Sequence, residues 1–256
     1  MRILISNDDG IMAPGIKALR EALEKIGEVT VVAPDRPRSA TGLGITIHKP
    51  LRAEEVSFPD SHAKGYAING TPSDCVKLAI QALMPVKPDI VVSGINFGPN
   101  LGTDVLYSGT VSAALEGVIN DVPSVAVSLA SWECNDFSYA ADFTGRLIQV
   151  VLEKGLPEET LLNINIPVVK NGQHPPQISI TRLGKRRYEN IFEKRHDPRG
   201  KLYYWMGGEV QDIHVDPDTD ISAVKKGDIS VTPLLFDVTD HKFINQVKTW
   251  DLNGLL

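Results

Sequence analysis

Two carboxylates stand side by side in Asn7-Asp8-Asp9-Gly10, directly after a short apolar run. Adjacent carboxylates repel unless a cation lies between them. Their hard oxygens suit Mg²⁺ or Mn²⁺. Asn, Asp and Gly are also ordinary turn residues, so the motif alone fits a solvated turn as well as a metal site. A second segment, Ser93-Gly94-Ile95-Asn96-Phe97-Gly98-Pro99-Asn100-Leu101-Gly102, is rich in glycine. Such a loop can lay backbone N–H groups against phosphate, or serve as a flexible connector. Its glycine spacing matches neither a P-loop nor GxGxxG. Asn96 offers a neutral oxygen to a metal.

Tyr107-Ser108-Gly109-Thr110 opens a helical pattern and would present free N–H groups and hydroxyls to an anion. Plain N-capping by Ser108 or Thr110 is the commoner use of such residues. Pro37-Arg38-Ser39-Ala40-Thr41-Gly42 adds Ser39 as a hydroxyl ligand, a weak signal by itself. The run Lys185-Arg186-Arg187 reads as a solvated face, and among six histidines only His241 stands near a predicted helix start.

These segments need elements to hold them. RILIS at 2–6, VTVVAP at 29–34, DIVVSG at 89–94, VPSVAVSLA at 122–130 and LLNINIP at 161–167 are short apolar runs, as parallel strands buried on both faces require. Between them lie helical patterns. Ile16, Leu19, Leu23 and Ile26 form one stripe ending at Gly27. Thr71, Pro72 and Asp74 start a second helix as N-cap, first-turn proline and favourable negative charge. TVSAALEGVIN is a third, and 137–152 a fourth with Phe137, Ala140, Ala141, Thr144, Leu147, Ile148 and Val151 on one face. Alternation of this kind implies a Rossmann-like, mostly parallel sheet with helices on both faces. Ligands then bind beyond the carboxyl ends of the strands. All four candidate segments follow a predicted strand or open the next helix, so they converge on one crevice.

The 256 residues fit one α/β domain. Its expected core is 1–183 and 213–236, with a protruding β-hairpin at 184–212 and a C-terminal helix at 238–252. The excursion carries Tyr188, Phe192, Tyr203, Tyr204 and Trp205 without helical period. An exposed aromatic hairpin packs on something, often a second subunit. The net charge of −6 and pI near 5.5 argue against nucleic-acid or membrane partners. No stretch reaches transmembrane length and no export signal is apparent. Cys75 and Cys134 form no zinc pattern, and two reduced thiols suit a cytoplasmic protein.

At ILISNDDG, VAPDRPRSATG, GTPSDCV, SGINFGPNLGTDVLYSGTVSAALEG and TDISAVKKGDISVTPL the sequence resembles the SurE family of 5′/3′-nucleotidases. The resemblance extends over essentially the whole chain. It implies a divalent metal, Mg²⁺ or Mn²⁺, one per subunit, on Asp8, Asp9, Ser39 and Asn96. It implies a phosphate cradle at Ser108, Gly109 and Thr110, and nucleoside monophosphates as substrates, with short-chain polyphosphate in some members. It also implies homodimers or homotetramers with exchanged C-terminal segments.

The expected reaction is phosphomonoester hydrolysis by direct attack of water. Asp8, Asp9 and Asn96 would serve metal and phosphate, Asn7 would orient the water or a phosphate oxygen, and the N–H groups of Gly109 and Thr110 would stabilise the transferring group. Two rivals remain. One is a phosphatase with an aspartyl nucleophile, whose acids fall in a DxD pattern instead. The other is a non-catalytic nucleotide sensor with the same cleft.

Overall fold

A computed structural model describes residues 1–169, 174–189, 191–213 and 216–255. Nine strands form the central sheet. In chain order they are β1 (Arg2–Ser6), β2 (Glu28–Pro34), β3 (Ala53–Val56), β4 (Lys64–Ile68), β5 (Ile90–Phe97), β6 (Ser124–Leu129), β7 (Thr160–Ile166), β8 (Ile178–Ile180) and, after four strands outside the sheet, β13 (Ile229–Leu235). Their spatial order is β3-β4-β2-β1-β5-β6-β7-β13-β8. From β4 to β7 every neighbour is parallel, whereas β3 and β13 run against β4 and β7. The chain leaves β1 towards β2 and β4, then returns to place β5 on the other side of β1. The order therefore reverses between β1 and β5, which is where such sheets bind ligands.

Both faces of the sheet are covered. Ile3 and Ile5 of β1 point to one face with Ile16, Leu19 and Leu23 of α1 (Pro14–Leu23) and Ala140, Ile148 and Val151 of α4 (Ser138–Lys154). Leu4 points to the other, against Cys75 and Val76 of α2 (Pro72–Leu78) and Ala113 of α3 (Gly109–Ile119). Alternation inside a wholly apolar strand is what two covered faces require. α2 starts as its sequence dictates. The Thr71 hydroxyl accepts from Asp74 N at 3.1 Å, and the Asp74 carboxylate accepts from Thr71 N at 2.8 Å, a reciprocal capping box.

The predicted excursion is an antiparallel arm. β9 (Lys185–Glu189) pairs with β12 (Glu209–Ile213), and β10 (Phe192–His196) pairs with β11 (Leu202–Met206). The two pairings keep one register, from Lys185↔Ile213 at the base to His196↔Leu202 near the tip. Phe192, Tyr204, Trp205 and Met206 stay exposed.

Arg186 departs from the solvated-face reading of its basic run. Its guanidinium donates to Asp212 Oδ1 at 2.9 Å and to Asp104 Oδ2 at 3.0 Å, because strand alternation turns it inward while Lys185 stays exposed. The C-terminal helix is shorter than 238–252. α6 covers only His241–Val247. Asp240 caps it by accepting from Phe243 N at 2.9 Å. Tight turns after Lys248 then fold Trp250 back edge-on to Phe243, with centroids 5.8 Å apart. His241 pairs with Asp237 at this helix start.

The base of the arm is tied to the core by Asp220, the first residue of α5 (Asp220–Lys226). Its buried carboxylate accepts from Gly102 N, Gly184 N and Ile221 N, each at 2.8 Å. Asp220→Ala removes the acceptor of three backbone donors at once. Unfolding free energy should fall by at least about 3 kcal/mol in chemical denaturation. A loss below about 1 kcal/mol would show that the arm is held by other contacts.

Candidate active site

Asp8 and Asp9 follow β1 after the single residue Asn7, at the point where the strand order reverses. The turn that carries them is pinned from within. Asn7 Oδ1 accepts from Gly10 N at 3.1 Å, and Asn7 Nδ2 donates to Gly10 O at 3.0 Å. Both polar atoms of Asn7 are thus engaged in shaping the turn, and its buried amide acts on Asp8 and Asp9 through the backbone. The turn is also held from β2's side, where Arg38 N donates to Asp8 O at 2.7 Å.

Each carboxylate has one protein donor. Thr110 Oγ1 donates to Asp8 Oδ1 at 2.6 Å, and Phe97 N donates to Asp9 Oδ2 at 3.1 Å. Among the described residues, no hydrogen bond occupies Asp8 Oδ2 or Asp9 Oδ1. Burial and the neighbouring charge of Asp9 push the Asp8 carboxyl up to about 6, against the opposing Thr110 hydrogen bond. Burial likewise raises Asp9, and the Phe97 N–H opposes it. Two half-satisfied, poorly hydrated acids with open oxygens are the donor set a hard cation needs.

The opening of α3 meets these acids directly. A Cβ on Gly109 would lie 2.7 Å from Asp8 Cβ, so only glycine admits this approach. Ser108 takes the capping role, its hydroxyl accepting from Val111 N at 3.1 Å. The Thr110 hydroxyl is committed to Asp8. What this segment offers a phosphate is the N–H groups of Gly109 and Thr110, in a first turn where no helical carbonyl can reach them.

Asn96 lies at the end of β5, where pairing with β6 shifts register, and is 8% exposed. Its amide nitrogen donates to Gly98 O at 2.7 Å, which leaves Oδ1 for a ligand. Ser39 is exposed, one residue beyond Arg38. Its loop is fastened to the same helix opening by Gly42 N, which donates to Tyr107 O at 3.1 Å.

Residues 3–190 match the family described as Survival protein SurE. The chain belongs to the SurE family. Similar proteins include the 5′-nucleotidase SurE of Pelotomaculum thermopropionicum, 58% identical over 97% of this chain and 94% of that protein. That of Heliobacterium modesticaldum is 55% identical over 98% and 92%. The crystal structure of the SurE protein from Aquifex aeolicus aligns with a TM-score of 0.84 at 44% identity, covering 97% of this chain and 98% of that one. The SurE fold therefore accounts for the sheet, the arm and the C-terminal helix together.

Within this SurE chain, three contacts had no signal in the sequence. The Phe97 N–H on Asp9, the Arg38 N–H on Asp8 and the Thr110 hydroxyl on Asp8 each join residues brought close only by the sheet. Among the described residues no group of three or more His, Cys, Asp and Glu converges. A cation here would have two carboxylates and otherwise neutral oxygens to draw on. Cys75 is buried, and burial with nearby Asp74 and Asp35 pushes its thiol well above the ordinary range, so it is no nucleophile.

The raised Asp8 value has a direct consequence for the metal-free protein. The native state holds that proton up to about pH 6, whereas the unfolded chain releases it near 3.8. Stability contributed by this group is thus lost as pH rises from about 4 through 6, by up to about 3 kcal/mol. Asp8→Asn keeps an oxygen for Thr110 and carries no charge. In chelator, it should melt higher than the parent at pH 8, and the gap should close towards pH 4. A gap that does not change with pH would contradict this origin.

Proposed function

We propose that this chain is a 5′-nucleotidase that hydrolyses nucleoside 5′-monophosphates, and 3′-monophosphates at the same site, to nucleoside and phosphate. The carrying observation is the pair of open carboxylate oxygens on Asp8 and Asp9, with Asp8 set directly against Gly109 at the start of α3. The names of the similar proteins support the activity. The reading requires one Mg²⁺ or Mn²⁺ held by Asp8, Asp9, Ser39 and Asn96. When bound, the cation polarises the phosphoryl oxygens and screens the negative charges that meet there.

The chain's own groups do the rest. The N–H groups of Gly109 and Thr110 donate to the transferring phosphoryl oxygens and stabilise their charge as fixed dipoles. Thr110 and Phe97 N–H hold the carboxylates in one orientation. Asn7 positions the turn. Water forms the new P–O bond as the ester P–O bond breaks, the nucleoside oxygen leaves with a proton, and no phosphoenzyme forms. Phosphate release from AMP and the other monophosphates should appear with Mg²⁺ or Mn²⁺ and vanish in chelator. Asp9→Asn should reduce it at least 100-fold without loss of fold by circular dichroism. A chirally labelled ester should invert at phosphorus. Binding of AMP without release would favour a sensor, and net retention an aspartyl intermediate.

The active assembly in this reading is a homodimer or homotetramer. The exposed aromatic arm supports it, as do Val238, Phe243, Trp250 and Leu255 in a C-terminal segment whose α6 buries no residue. A lone two-stranded hairpin is marginal in water, and so much exposed apolar surface marks an interface. Exchange of C-terminal segments would cover it. Replacing residues 192–206 with a short Gly-Ser turn should yield smaller species in light scattering. A parent chain that is monomeric at micromolar concentration would defeat the oligomer.

A further inference from the structure

Trp132 stands at the mouth of the site and has no evident structural duty. It follows β6, the strand next to β5, and 68% of its surface is open. The ring is nevertheless held in place. It meets Phe97 edge to face, with centroids 6.1 Å apart and planes at 89°. It also lies flush on Gly98, where a Cβ would fall 2.2 Å from Trp132 Cη2. Gly98 has φ +106°, a second reason for glycine there.

The loop beneath the ring is braced by hydrogen bonds. Ser131 Oγ accepts from Glu133 N at 3.1 Å and Cys134 N at 3.0 Å, and Ser131 N donates to Leu129 O at 2.8 Å. The two residues that seat the indole also touch the candidate site, one at an acid and one at Asn96. Phe97 N donates to Asp9, and Gly98 O accepts from Asn96. Through Phe97 and Gly98 the indole is one residue removed from Asp9 and Asn96, at the next strand end. A nucleoside monophosphate has the same layout, with an aromatic base one sugar removed from its phosphate.

We propose that Trp132, backed by Phe97, is the shelf on which the nucleobase stacks, and that it sets the preference for nucleotides over other phosphomonoesters. This rests on the nucleotidase reading above. Every base offers a π-face, so a stacking shelf tolerates purines and pyrimidines alike. It distinguishes nucleotides from phosphorylated sugars, which have nothing to stack.

The test compares AMP with ribose 5-phosphate in the intact, metal-loaded protein. In Trp132→Ala the ratio of kcat/KM for AMP to that for ribose 5-phosphate should fall roughly 10- to 100-fold, with the loss carried by KM for AMP. Trp132→Phe should restore most of the ratio. AMP, but not ribose 5-phosphate, should quench tryptophan fluorescence in the parent, and the quench should be absent in Trp132→Phe. An unchanged ratio in Trp132→Ala would overturn the shelf. So would an equal loss on both esters accompanied by a change in oligomer size, or a Tyr107→Ala variant that alone reproduces the effect. If the parent releases phosphate from neither ester, the nucleotidase reading fails, and the quench by AMP still decides whether Trp132 meets the base.

Discussion

Two negative charges held side by side with little water around them constrain the rest of this molecule. Asp8 and Asp9 are adjacent in sequence, and Asp8 is 6% exposed. Left alone, such a pair would twist apart or take up protons; burial raises both carboxyls, and the neighbouring charge of Asp9 raises Asp8 further. The surrounding structure prevents the first outcome. Phe97 N–H, Thr110 Oγ1 and Arg38 N–H reach the pair's turn from β5, α3 and the loop after β2. Three elements converge on one dipeptide because the strand order reverses there. The resulting instability is local, and it leaves open carboxylate oxygens at the carboxyl ends of the strands.

The same constraint explains the packing of α3. Its first residue must be glycine to approach Asp8, and its second spends a hydroxyl to hold that carboxylate. Upstream of it, the 3₁₀ turn Gly102–Leu106 is clamped from two directions. Asp220 accepts from Gly102 N, and Asp104 accepts from Arg186 and from the Tyr188 hydroxyl. Desolvation and the Asp104 carboxylate push that tyrosine up to about 12, so it remains a donor across the physiological range. The base of the arm and the segment that leads into α3 are therefore joined through this turn. Whatever seats the arm also bears on where Gly109 and Thr110 point.

Much was legible in the sequence, and for identifiable reasons. Strands buried on both faces must be apolar throughout, so β1, β2, β5, β6 and β7 stood out as runs. The α2 cap was readable because Thr71, Pro72 and Asp74 act within one turn of chain. The aromatic excursion lacked helical period and proved to be the arm. Ends were less legible. α6 stops at Val247 because Trp250 folds back on Phe243, a contact that no local propensity encodes. Arg186 looked like part of a solvated basic run, and only the partner strand and Asp104 gave it an inward role.

The sequence by itself determined which chemistry was available: paired acids after a strand, neutral oxygens on Ser39 and Asn96, and a helix opening of Ser108, Gly109 and Thr110. It also determined that all of these gather at one edge, since in a parallel sheet every loop that leaves a strand for the next helix lies at the carboxyl ends. Tertiary structure alone decided how each group is used. It assigned the Thr110 hydroxyl to Asp8 and the Ser108 hydroxyl to the cap, and it turned Asn7 inward to Gly10. It brought Phe97 N–H to Asp9 across 88 positions and set Trp132 beside them. The physical reason is reach. Hydrogen bonds and ring contacts act over a few ångströms, and those distances exist only after the sheet has set the order of its strands.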